Sequence, residues 1–239
     1  MAARWIGQLV SALSRLHSQE GLAHLCLLPR NIAVAANGDL HLGEFLGKVH
    51  VLQLLGREGR SSKLPEPTPS WNMWYPAEVQ LATSTCAVPG EDSGENMQPS
   101  QVAPEDFSID SWQLGVVIFY LLCGQHPFGD CHKDPTAVCH NIIGGHPVNL
   151  PLLTQFPVFA DLVLRLIASD PQHRPSPSAL LATHPACWCF RTTAAFVLGL
   201  PTRLAAVTAA GALPEPALVA SWCGTLLRHL PWAALFGCG

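Results

Sequence analysis

The sequence has few charged side chains and no long uninterrupted apolar run. Asp, Glu, Lys and Arg make up 13% of its 239 residues, about half the usual quarter. The net charge of −4 excludes the basic surface that nucleic-acid binding requires. Prolines interrupt the apolar C-terminal stretch before it reaches the roughly 20 residues of a membrane-spanning helix, and the N-terminus lacks the apolar core of a signal peptide. We therefore expect no nucleic-acid partner and no membrane attachment.

The cysteines do not form a regular framework. There are nine, an odd number, and none is part of a Cys-x-x-Cys motif. Cys131-His132 and Cys139-His140 do not have the spacing of zinc ligands. This pattern predicts reduced thiols in a cytoplasmic, or else nuclear, protein and no metal site.

What the sequence does contain is a series of apolar helical patterns. Apolar residues recur at helical spacing or fill the whole segment, and two short strands flank the hairpin dipeptide Asn37-Gly38. The sequence therefore predicts a mainly α fold with a short β-hairpin. The predicted helices are 4–18, 108–124, 135–144, 158–169 and 176–184, and the predicted strands are 32–34 and 40–42.

Two other regions lack this pattern. Residues 47–105 have no sustained periodicity, and the polar part from 79 to 105 is predicted to be a mobile loop insertion. From residue 189 onward the chain is rich in Ala and Leu. We therefore divide the chain into a domain over 1–188 and a C-terminal tail over 189–239.

Three motifs in one order resemble those of a eukaryotic protein kinase. They are His24-Leu25-Cys26-Leu27-Leu28-Pro29-Arg30-Asn31, then Gly43-Glu44-Phe45-Leu46, then Asp110-Ser111-Trp112-Gln113-Leu114-Gly115. They are similar to the catalytic loop, the metal-binding turn and the central helix of that family. The resemblance implies the C-terminal lobe of a kinase-like fold. No Gly-rich loop or strand Lys precedes residue 24, so we expect the N-terminal lobe to be absent.

The resemblance also implies a set of structural residues. Glu78, in Tyr75-Pro76-Ala77-Glu78, is expected to pair with Arg174, in Asp170-Pro171-Gln172-His173-Arg174-Pro175. Asp110 is expected to accept backbone N–H groups of the loop that begins at His24. Trp112 and Gly115 are expected to pack beneath that loop.

The positions that carry chemistry in the family are mostly replaced. Cys26 stands where the resemblance implies the catalytic Asp, and a thiol differs from a carboxylate in pKa and shape. Leu28 replaces a Lys and carries no charge toward a phosphate. Asn31 and Glu44 are left as vestigial positions for a nucleotide-bound metal.

These substitutions lead to a functional hypothesis and two alternatives. The hypothesis is a catalytically inactive pseudokinase fragment, no enzyme, that acts as a protein-binding scaffold or regulator in signalling. Its partner would be a signalling kinase or a substrate, and no cofactor is expected. The first alternative is a weak or atypical Ser/Thr protein kinase that binds Mg-ATP through Asn31 and Glu44. The second is a truncated isoform of a longer kinase-like protein.

Overall fold

The fold is mainly helical with one short β-hairpin, which confirms the predicted fold class. The computed structural model describes residues 2–43, 72–85 and 104–188, together with 191–193, 195, 196 and 199. In these ranges the helices are α1 (Ala2–Gln19), α2 (Ala77–Thr85), α3 (Pro104–Cys123), α4 (Pro135–Ile143), α5 (Pro157–Leu166) and α6 (Pro177–Thr183). The strands are β1 (Ile32–Val34) and β2 (Leu40–Leu42). Short 3₁₀ turns lie at Pro29–Asn31, Leu150–Leu153, Pro171–His173 and Pro185–Cys187.

The hairpin is antiparallel and closes at Asn37-Gly38. Ile32 pairs with Leu42 and Val34 with Leu40. Gly38 has a φ of 80°, a left-handed conformation that glycine adopts at little cost. The predicted strands therefore match the structure, because the turn dipeptide and the strand positions favour the same register.

The hairpin is fastened to the first helix by polar side chains. Trp5 Nε1 donates to the carbonyl oxygen of Gly38 at 2.9 Å. Gln8 Oε1 accepts the backbone N–H of Leu40 at 3.1 Å, and Arg4 pairs with Asp39 at 2.5 Å. The opposite, apolar stripe of α1 is buried in the core through Ile6, Leu9, Val10 and Leu13.

Helix α3 is the centre of the fold. Its residues from 109 to 119 are buried without interruption, and it packs against both α1 and α5. A helix that is apolar nearly all round requires neighbours on several sides, and α3 has them. At Gly115 the packing is so close that an added Cβ would lie 2.7 Å from Cβ of Leu166.

Local signals set the ends of the smaller helices. Asp134 accepts the backbone N–H of Ala137 at 2.9 Å, and Ser176 accepts that of Ala179 at 3.2 Å. Both are N-cap interactions, and proline follows each cap in the first turn, where its missing N–H is not needed.

One predicted boundary is wrong. The mobile loop was predicted to begin at residue 79, but residues 79–85 belong to helix α2. This helix buries Val79 and Gln80, and the Gln80 side chain donates to the carbonyl oxygen of Tyr75 at 2.8 Å. The sequence gave no helical stripe here, because one buried apolar position and the weak helix formers Ser84 and Thr85 do not produce one.

Two other predictions remain untested. Most of 189–239 lies outside the described residues, so the division of the chain at 188 stays a prediction. In the ranges given above, none of the helices is both long enough and apolar enough to cross a membrane. The compartment also stays a prediction.

We predict opposite effects for two Gly-to-Ala changes. In Gly115→Ala the new methyl group would meet Leu166 and, at 2.8 Å, Ile167, and overpacking of this kind costs about 1–3 kcal/mol. Gly7 lies within α1 with nothing within 4 Å of an added Cβ, so Gly7→Ala should stabilise the fold by about 0.5–1 kcal/mol. Urea unfolding measures both. A Gly115→Ala protein as stable as the parent would contradict the close packing of α3 on α5.

Candidate functional site

The loop from His24 to Asn31, called here the 24–31 loop, is held by one buried carboxylate. Asp110, in α3, is fully buried. Its two oxygens accept the backbone N–H groups of His24 at 2.7 Å and Leu25 at 2.6 Å. A buried carboxylate is stable only when its oxygens are paired. The structure thus places Asp110 against the loop, as the sequence analysis expected.

The carboxylate fixes an unusual backbone conformation. Leu25 has a φ of 57° and is the one described non-glycine residue with a positive φ. Its side chain is fully buried. A branched residue in the left-handed region costs about 1–2 kcal/mol, and the charge-assisted hydrogen bond from its own N–H to Asp110 offsets that cost.

A histidine from α1 completes the surroundings of the carboxylate. His17 Nε2 lies 2.7 Å from Asp110 Oδ2, and both side chains are nearly excluded from solvent. The His17 ring also packs against Phe107, with ring centroids 4.5 Å apart. Sequence analysis missed His17, because a histidine at the end of a helix gives no pattern that distinguishes it from a surface residue.

Gln113 connects the 24–31 loop to the segment before α2. Its Oε1 accepts the backbone N–H of Leu27 at 3.0 Å, and its Nε2 donates to the carbonyl oxygen of Trp74 at 3.1 Å. Sequence analysis missed this residue as well. A usable signal was present, because a polar side chain inside an otherwise apolar helix must find buried hydrogen-bond partners.

The side chain of Cys26 faces the protein interior. It is 2% exposed, and its Sγ lies 3.0 Å from Asn31 Nδ2 and 3.8 Å from the Tyr75 hydroxyl. Asn31 Nδ2 also donates to the carbonyl oxygen of Cys26 at 2.9 Å. Burial raises the pKa of Tyr75, so its hydroxyl stays protonated and able to donate. Cys26, Asn31 and Tyr75 therefore form one hydrogen-bonded cluster.

His24 links the loop to the end of the hairpin. Its Nδ1 accepts the backbone N–H of Cys26 at 3.3 Å. Burial lowers the pKa of this imidazole, while Asp110 and a hydrogen bond to the Gly43 backbone act in the opposite direction. Gly43 N–H in turn donates to the carbonyl oxygen of Asn31 at 2.7 Å. The loop and the hairpin thus share one hydrogen-bonded corner.

The other predicted positions of this region lie in different surroundings. Leu28 is 2% exposed and belongs to the interior, whereas Arg30 is exposed. Glu44 falls outside the described residues, so its proposed contact with a metal stays a prediction. Among the residues that are described, no three His, Cys, Asp or Glu side chains are grouped as metal ligands would be.

Glu78 and Arg174 form an ion pair beside the same end of α3. Arg174 Nη1 and Nη2 donate to the two oxygens of Glu78 at 2.5 and 3.1 Å. The guanidinium also donates to the carbonyl oxygens of Ala168, Ser169 and Ser108. The Arg174 side chain is 1% exposed and the Glu78 side chain 32%, so the cation is the buried partner.

Trp112 and Gly115 lie on α3 below these contacts. The Trp112 ring stacks on Phe128 with centroids 5.9 Å apart. His126, two residues before Phe128, lies edge-on to Trp74 at 5.2 Å and its Nδ1 accepts the Phe128 N–H at 3.2 Å. Aromatic packing therefore connects the turn after α3 to the segment that contains Tyr75.

Comparisons with known proteins agree with the motif order. Serine/threonine-protein kinase OXI1 of Arabidopsis thaliana is 27% identical over 195 residues, which covers 71% of this chain and 45% of that protein. CBL-interacting protein kinase 4 of Oryza sativa subsp. japonica is 28% identical over 243 residues, covering 99% of this chain and 46% of that protein. Human calcium/calmodulin-dependent protein kinase type 1B is 26% identical over 178 residues, covering 72% and 43%. No family model matches the chain.

These relatives correct one prediction and bound another. The chain spans less than half the length of the relatives described above. They are named protein kinases, so the prediction that the chain is no enzyme is contradicted. That prediction was drawn from Cys26 and Leu28 alone, and two substituted side chains weigh less than similarity over most of the chain.

We predict that the Glu78–Arg174 pair is required for stability. Arg174→Leu leaves one carboxylate and three backbone carbonyls without their donor, which should cost about 3–5 kcal/mol. Arg165 is the matched control, because it pairs with Asp161 on the exposed surface of α5; Arg165→Leu should cost less than about 0.5 kcal/mol. Denaturant unfolding distinguishes the two. Equal effects would mean that the buried pair adds nothing beyond a surface pair.

We also predict an acid-sensitive step that depends on His126. Burial lowers its pKa from 6.5 to about 3, so the unfolded chain binds a proton there before the folded one does. The stability is complete above pH 6.5 and falls as the pH drops from 6.5 toward 3, by up to about 1.4 kcal/mol per pH unit. In His126→Asn this slope should become shallower.

The control for this experiment is His132→Asn, which removes an exposed histidine and should leave the slope as it is. Part of the slope should remain in His126→Asn, because burial also lowers the pKa of His24 and His184. Unfolding free energies measured between pH 4.5 and 7.5 provide the comparison. Parallel curves for parent and His126→Asn would rule out a buried neutral His126.

Proposed function

Because this chain is related to the protein kinase-like superfamily, we propose that it acts in signalling as a protein-binding scaffold or regulator. The binding surface consists of the 24–31 loop and the neighbouring segment 72–82. The partner is a protein, either a signalling kinase or one of its substrates. The reducing cytoplasm is the expected compartment, which is supported by the free thiols of Cys26, Cys123, Cys131, Cys139 and Cys187.

One observation carries this proposal. The backbone of the 24–31 loop is held in a fixed conformation by Asp110 and Gln113, yet the side chain at position 26 faces inward. A loop that retains its frame while its central side chain is buried presents a rigid surface. Rigid surfaces lose little conformational entropy when a partner binds.

The neighbouring residues have the composition of an interface. Trp74 is only half-buried, and Leu22 and Leu81 are 41% and 49% exposed. Leu22 directly precedes the loop, and Leu81 lies on α2, just after the Tyr75 that contacts Cys26. Aromatic and apolar residues with a polar rim are typical of protein-binding surfaces.

Peptide-display selection with the full chain as bait tests the proposal. The enriched peptides should bind the chain in a one-to-one complex, measured by calorimetry. They should slow amide hydrogen exchange at residues 24–31 and 72–82. No enrichment over an unrelated bait, or protection confined to other residues, would overturn the proposal.

Two leucines provide matched variants. Leu81, on α2, and Leu164, on α5, are both 49% exposed. Leu81→Ala should weaken peptide binding about fivefold, as expected for about 1 kcal/mol of lost apolar contact. Leu164→Ala should leave binding unchanged. Equal losses in both variants would place the binding surface elsewhere.

A second candidate function is phosphoryl transfer, which the names of the relatives favour. Asn31 fits part of this role, because its Nδ2 bonds to Cys26 and its amide oxygen is thereby left to act as a ligand. One amide oxygen is less than a Mg²⁺ ion requires, and Glu44 lies outside the described residues. The Asn31 contribution is therefore the part that can be tested.

Mg-ATP addresses this candidate directly. At millimolar Mg-ATP the midpoint of thermal unfolding should rise if the nucleotide binds the folded chain, and Asn31→Ala should abolish the rise. Transfer of labelled γ-phosphate to a serine peptide would then measure turnover. An unchanged midpoint in the parent chain would remove the binding step on which this candidate depends.

A further inference from the structure

Arg30 is the charged residue that the 24–31 loop exposes to solvent. The residues from Leu25 to Leu28 are 2% exposed or less, whereas Arg30 is exposed. Arg4, Arg165 and Arg174 each have a carboxylate partner. Within the described part of the chain no carboxylate pairs with Arg30, so its charge is available to a binding partner.

The surroundings of Arg30 contain no opposing free charge. The 24–31 loop has neither Asp nor Glu, and the nearby Asp110 is buried and bonded to N–H groups of the loop and to His17. The field of the guanidinium reaches the Tyr75 hydroxyl, whose pKa it lowers against the larger effect of burial. That hydroxyl contacts Cys26, so the positive field extends to the centre of the site.

We propose that Arg30 makes this surface selective for acidic protein segments, with an Asp or Glu carboxylate of the partner paired to its guanidinium. The inference rests on the proposed protein-binding function and adds the chemical class of the partner. A guanidinium binds a carboxylate in a two-pronged geometry. Nucleic acid is disfavoured as the partner, because it requires several clustered cations and the chain carries a net charge of −4.

Three synthetic serine peptides of about 12 residues test the selectivity. They differ only in the residues that flank the serine, which are Glu, Gln or Lys. Fluorescence anisotropy with the full chain should show the Glu peptide binding about two- to fivefold more tightly than the Gln peptide, the range of one exposed ion pair. Raised salt should reduce this preference.

Charge reversal separates a specific contact from general attraction. Arg30→Glu should reverse the order, so that the Lys peptide binds best, and Arg30→Gln should remove the preference without reversing it. Arg15→Glu is the matched control, because Arg15 is an exposed arginine on α1 and the change in net charge is identical. This control should keep the parent order of affinities.

The outcomes distinguish the inference from the function on which it rests. If the Gln peptide binds and protects the 24–31 loop but the Glu peptide is not preferred, the inference is wrong and protein binding stands. If none of the three peptides binds, both are overturned. If Arg30→Glu weakens Mg-ATP binding but no peptide, the residue serves a nucleotide and the inference is overturned.

Discussion

The buried carboxylate of Asp110 is the interaction on which the site depends. It has no access to water, and an unpaired charge in that position would cost several kcal/mol. The backbone N–H groups of the 24–31 loop and the ring of His17 supply the missing partners. The carboxylate therefore selects one backbone path, with Leu25 in the left-handed region. That path turns Cys26 inward and leaves Arg30 outside.

Helix α3 gathers the other attachments within two turns of Asp110. The carbonyl of Ser108 accepts from Arg174, the hydroxyl of Ser111 donates to the carbonyl of Pro175 at 3.0 Å, and Gln113 joins Leu27 to Trp74. The first half of α3 thus holds loops through polar contacts. Its second half, from Leu114 to Phe119, is apolar and anchors the helix in the core. A disturbance of the core packing would therefore displace every loop of the site together.

The sequence predicted the elements whose signals are local. The hairpin followed from Asn37-Gly38, and α3 followed from its long apolar run, since turn chemistry and periodicity act within a few residues. Helix α2 was missed, because its position depends on contacts of Val79 and Gln80 with residues outside the helix. Tertiary contacts of this kind override weak local propensity.

The site was predictable only in part, for the same reason. The motif order placed Asp110 beside His24 and Glu78 beside Arg174, and the structure has both contacts. His17 and Gln113 were not foreseen, because their partners are backbone groups far along the chain that no motif marks. Whether these residues act in binding or in phosphoryl transfer stays a prediction that the structure alone leaves to experiment.

The contacts that define the site join parts of the chain that are far apart in sequence. Asp110 is 86 and 85 residues from its two backbone donors, and Glu78 is 96 residues from Arg174. Such contacts form only after long loops close, which slows folding relative to a bundle of local helices. The closure entropy grows only with the logarithm of loop length, about 0.6 kcal/mol for each doubling. Insertions into the connecting segments should therefore alter the speed of folding more than the final stability of the site.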